Sequence, residues 1–135
     1  ALKKKASCSL YQNLLFLKLK NPAIISGIKK YHMQTLQSIW DKFSLNRTRQ
    51  SKEENLISAC LKKILAKKNK FQENQGLKQT ELIHPYYVDI FLPPKTIIEF
   101  NGEFHYFLDW NHQPIGKTFK GNFVMKQNIL EMMGY

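Results

Sequence analysis

The chain has 135 residues, 43% hydrophobic and 13% aromatic, with 21 Lys or Arg against 10 Asp or Glu for a net charge of +11. That length holds one modest domain, or a small domain with an accessory arm, and the apolar fraction excludes a disordered chain. Cys8 and Cys60 do not make a disulfide framework, no Cys/His cluster has zinc spacing, and no apolar run approaches the ~20 residues of a spanning helix.

The charge is uneven. Residues 1–80 hold 17 Lys or Arg and 4 Asp or Glu, whereas residues 81–135 hold 4 and 6. A basic first part therefore precedes a slightly acidic second, which points to a polyanionic partner. A membrane surface fits this less well than nucleic acid, because no spanning segment accompanies it. The start at Ala1 and the stop at Tyr135, where a helix ends and a strand is due, are those of a piece of a longer protein.

Residues 1–20 open on Lys3, Lys4 and Lys5, and Leu10, Leu14 and Leu17 follow at helical spacing. This reads as a buried helix; a basic start before an apolar run is also the pattern of an organelle-targeting segment. Asn21-Pro22 is a helix start, with Asn as N-cap and Pro at the first helical position. Ile25, Ile28, His32, Leu36, Ile39, Trp40 and Phe43 then mark one apolar face, His32 reading as a core or boundary residue. Asn46 to Gln50, with Arg47 and Arg49, is a polar connection. Ser51 to Glu54 is a capping box, and Leu56, Ile57, Cys60, Leu61, Ile64 and Leu65 form the stripe of the helix it opens. Lys62, Lys63, Lys67, Lys68 and Lys70 occupy the other face, as a solvated surface or as one that tracks phosphates. Asn69 to Thr80 reads as a polar loop or weak strand.

Tyr86–Leu92 and Thr96–Phe100 are rich in β-branched and aromatic residues, and Pro93-Pro94-Lys95 separates them as a hairpin turn. Each strand carries one carboxylate, Asp89 and Glu99, between large apolar neighbours. A buried carboxylate costs several kcal/mol unless it is paired, hydrogen-bonded or on metal. Residues 108–116 are turn-rich, and Phe119 to Met133 is a helix ending on Gly134 as C-cap.

Facing carboxylates can hold a divalent cation such as Mg, and a metal with a lysine can activate water against a phosphodiester. This is the logic of the PD-(D/E)XK nuclease fold. Glu99-Phe100-Asn101 stands where acid–any–lysine belongs, so Asn101 replaces the lysine and Lys126 is the candidate substitute. The longer string, Val88-Asp89-Ile90, Leu92-Pro93, Ile98 to His105, Gly116-Lys117-Thr118, Lys126, Leu130 and Gly134-Tyr135, resembles the RAP domain. That family is named for RNA-binding proteins abundant in apicomplexan parasites. The resemblance covers about residues 52–135; Asn101 and Glu103 depart from it, where the family more often has Asp and Pro.

The resemblance implies an α/β, restriction-endonuclease-like fold: a small sheet flanked by helices, preceded by an α-helical segment. It divides the chain into 1–50, the end of a helical array, and 51–135, a RAP-like domain. It implies a mitochondrial protein acting on RNA, some members being ribosome-associated; with Asn101 in place of the lysine, the first reading is an RNA-binding component of a ribonucleoprotein assembly, on ribosomal RNA and beside other proteins, without catalysis and without a cofactor. The alternative is a metal-dependent RNA endonuclease using Asp89, Glu99, Lys126 and His105. On the first reading Asp89, Glu99 and His105 form a relic polar network. The residues expected to meet RNA are Lys62, Lys63, Lys67, Lys68, Lys70, Arg47, Arg49, Lys117 and Lys120, with Tyr106 and Trp110 as stacking rings.

Overall fold

The strongest local signals place the elements. In the computed structural model, which describes residues 2–45, 50–68, 76–102, 105–111 and 113–135, helix α1 spans Leu2–Lys20, α2 Lys30–Phe43, α3 Lys52–Lys68 and α4 Gly121–Met132. Strands β1 (Lys78–Ile83), β2 (Tyr86–Leu92) and β3 (Thr96–Ile98) form an antiparallel sheet in the order β1-β2-β3, and β4 (Tyr106–Leu108) pairs with β5 (Pro114–Phe119). The chain is thus mixed α/β with an N-terminal helical part. No described helix is long and apolar enough to cross a membrane.

Two compact units emerge, residues 1–45 with 101–134, and residues 46–100 with Tyr135. The segment 101–134 thus groups with the helical residues 1–45, while residues 46–100 hold α3 and the hairpin. Chain order carries no information about which distant segments pack together, and here α4 packs against α1.

In the first unit Cys8, Tyr11, Trp40, Ile129 and Leu130 are buried, and the Tyr11 and Trp40 rings meet at 5.7 Å. Leu10, expected inside, is exposed. Asn21 caps as its sequence predicts, its Oδ1 accepting the Ala23 N–H at 3.1 Å. The helix it opens is only a 3-10 turn, Pro22–Ile25, however, and α2 begins at Lys30. Ser26 and Gly27 break it: the Ser26 hydroxyl bonds back to the Ala23 carbonyl at 2.9 Å, and glycine is a poor helix former. His32 is exposed on α2, its ring edge-on to Tyr31, and does not belong to the buried face. Gly134 adopts φ 94 just past α4, the left-handed conformation that ends a helix without steric cost in glycine.

The second unit is the hairpin with β1 and α3. Along β2 burial alternates: Tyr86, Val88 and Ile90 are buried, while Tyr87, Asp89 and Phe91 are half-buried on the opposite face. The capping box of α3 forms in full, Glu54 N–H to Ser51 Oγ at 3.0 Å and Ser51 N–H to Glu54 Oε2 at 3.1 Å. Its buried side takes in only part of the predicted stripe. Ser58 is buried, Glu54, Leu61 and Leu65 are half-buried, and Leu56, Ile57, Cys60 and Ile64 are exposed. The helix meets β1 through polar side chains, Gln79 reaching Asn55 and Lys62, which rotates the apolar stripe away from the sheet.

Candidate functional site

The pairing of β2 with β3 runs Leu92↔Thr96, Phe91↔Ile97 and Ile90↔Ile98. The pairing ends there: Asp89 precedes Ile90 on β2, and Glu99 follows directly after β3. On the other side of β2, Gln79↔Ile90 and Glu81↔Val88 put Thr80 opposite Asp89. Thr80 and Asp89 are thus cross-strand neighbours on β1 and β2, with Glu99 just past the end of β3.

Two contacts mark this part of the sheet. The Asp89 carboxylate accepts the Phe100 N–H through Oδ2 at 2.8 Å, so the backbone just past β3 is tied to the middle of β2. A charge-assisted bond of this kind contributes about 1.5–3 kcal/mol. Thr80 has φ 51, a left-handed conformation that is costly for a β-branched residue, and its Oγ1 accepts a hydrogen bond from Gln50 Nε2 at 2.7 Å. The sequence offers no sign of this strain, because Thr is an ordinary strand residue. Glu99 Oε1 is buried.

The remaining members of the predicted constellation, Asn101, His105 and Lys126, belong to the other unit. Asn101 is exposed and Lys126 half-buried on α4. The His105 N–H donates to the Gly102 carbonyl at 3.0 Å, its carbonyl accepts the Lys120 N–H at 2.9 Å, and its ring stands edge-on to Phe123 at 4.6 Å. Among the described residues no three His, Cys, Asp or Glu side chains gather in a metal-binding group.

The expected RNA-contacting residues divide by environment. Lys62, Lys63, Lys67 and Lys68 are exposed along α3, and Lys62 Nζ leans to Gln79 Oε1 at 3.4 Å. Arg47, Arg49 and Lys70 lie outside the described residues, as does the side chain of Lys117 on β5. Lys120 is half-buried at the start of α4. Tyr106 is not a free platform: it stacks on Phe119 at 4.5 Å, and Phe119 stacks on Phe123 at 5.0 Å. Trp110 is the opposite case, 88% exposed at the turn between β4 and β5. Asp109 shapes that turn, its Oδ1 accepting the N–H groups of Asn111 at 2.8 Å and Gln113 at 2.9 Å. The signal for Asp109 was present in the sequence, since Asp two residues before a polar Asn is a turn-forming position.

Comparison with family models, curated proteins and solved structures finds no match to this chain. The resemblance to the RAP domain rests on the residues quoted for it.

Proposed function

We propose that this chain is an RNA-binding protein that works without catalysis, in a mitochondrial ribonucleoprotein and on ribosomal RNA beside other proteins. The observation that carries the reading is the exposed basic surface of α3. Lys62, Lys63, Lys67 and Lys68 lie on one helix with no acidic residue after Glu54, in a chain of net charge +11. Lysine ammonium groups spaced along a helix meet successive phosphates as point charges, and releasing the condensed counterions drives the binding. The RAP-like string supports the choice of RNA and of the mitochondrion.

Asp89 supports the non-catalytic part. A carboxylate that holds the Phe100 amide is a structural brace, and the position that would supply the acidic motif's lysine is Asn101. The second reading, a metal-dependent RNA endonuclease, is favoured by one observation: Asp89 on β2 and the buried Glu99 Oε1 just past β3 belong to the same hairpin. Incubation of the full chain with labelled single-stranded RNA and Mg separates the two. Binding with intact RNA is expected; cleavage that disappears in Asp89→Asn, with the fold retained, would establish the nuclease.

A further inference from the structure

We infer that the turn between β4 and β5 is a nucleobase-stacking site, which makes unpaired, single-stranded RNA the substrate class. This deepens the RNA-binding reading and rests on it. The turn carries Asp109, Trp110, Asn111 and Gln113. The Asp109 N–H donates to the Gln113 carbonyl at 2.8 Å, and its Oδ1 takes the N–H groups of Asn111 and Gln113 at 2.8 and 2.9 Å. Three hydrogen bonds from one residue thus hold the backbone on both sides of Trp110. The indole itself, 88% exposed, makes no ring contact or hydrogen bond with any described residue. A large flat ring on a backbone already fixed loses little further freedom when a base lies on it.

The neighbours specify the ligand. Asn111 and Gln113 are exposed, and Asp109 has already taken their backbone N–H groups, so their side-chain carboxamides are left to the solvent on the same turn as Trp110. A carboxamide both donates and accepts, as the edge of an unpaired base requires. A tryptophan that anchors a protein partner sits in a dry, apolar surround; here polar amides flank it on the same turn. Phe107, 49% exposed on β4, offers a second ring for a neighbouring base or sugar. Charge selects the polyanion: residues 1–45 and 101–134, the unit that carries this turn, hold 11 Lys and 4 Asp or Glu. A base inside a duplex presents no free face, so the site acts only on unpaired bases.

The test uses the full chain, an unstructured single strand and a duplex of equal length, with affinity followed by anisotropy. Trp110→Ala is expected to weaken single-strand binding by about 5- to 150-fold, the range for losing one stacked base. Duplex binding and the salt dependence are expected to stay as in the wild type, and Trp110→Phe to retain most of the affinity. Equal single-strand affinity of Trp110→Ala and the wild type would overturn the inference, as would an equal loss on the duplex. Those results leave wild-type RNA binding standing, whereas a wild type that binds neither RNA refutes the broader reading as well. A Trp110→Ala chain that binds RNA normally but loses an acidic protein from cross-linking would assign the turn to protein.

Discussion

Asp89 braces the hairpin, its Oδ2 accepting the Phe100 N–H. Removing the side chain leaves that amide without its acceptor on a half-buried face. Asp89→Ala is therefore expected to lower stability by about 1.5–3 kcal/mol, and Asp89→Asn, which keeps a carbonyl oxygen in place, by less. Urea denaturation of the two variants checks this, and equal stability of wild type and Asp89→Ala would remove the brace from the account. Tyr11 gives a second prediction at this scale. Burial first, and then the Asp41 carboxylate, raise its phenol above the ordinary 10.0. The folded chain keeps a proton that the unfolded chain has begun to release, so the stabilisation is intact below about pH 10 and declines as pH rises through the folded value. Denaturation midpoints from about pH 8 to pH 11 should fall less steeply for Tyr11→Phe than for the wild type. Identical slopes would show that Tyr11 does not contribute.

Among the elements, α3 shows how packing overrules a sequence pattern. Its start was legible, because the capping box is a local device that Ser51 and Glu54 complete between themselves. Its buried face was not, because the most apolar stripe is the natural choice and the helix instead meets β1 through Asn55, Lys62 and Gln79. Ser58 is the cost of that arrangement: it is 1% exposed, and its hydroxyl finds no hydrogen-bond partner among the described residues. An unsatisfied buried hydroxyl costs about 1–3 kcal/mol, and alanine is the better helix former. Ser58→Ala should accordingly stabilise the chain by roughly 1 kcal/mol, read as a higher thermal midpoint. A clear loss of stability would mean that the hydroxyl is engaged. The β2–β3 hairpin was readable from its β-branched residues and its Pro pair. β4 and β5 were not, because Pro114 and Gly116, with φ 60, punctuate β5 as turn residues do.

For the molecule as a whole, the mixed α/β composition with helices first was visible in the order of signals along the chain. The grouping of 101–134 with 1–45 was not, since it depends on α4 meeting α1 across most of the sequence. The same limit applies to the candidate site. Asp89 was legible as an unusual strand carboxylate because the hairpin signal is local, whereas Thr80 came beside it only through the β1 pairing. The lysines of α3 were legible as a charge pattern, and their exposure is what gives that pattern a surface.

On the proposed reading this surface binds RNA through phosphate contacts, which makes the affinity depend on salt. Each phosphate contact on a single strand contributes a slope of about −0.7 in log affinity against log salt. With three to five contacts, wild-type affinity should fall roughly 20- to 100-fold between about 50 and 200 mM salt. Replacing Lys63, Lys67 and Lys68 together by alanine should lower affinity and flatten the slope by about two. An affinity that does not change with salt, or a triple variant with the wild-type slope, would contradict the account.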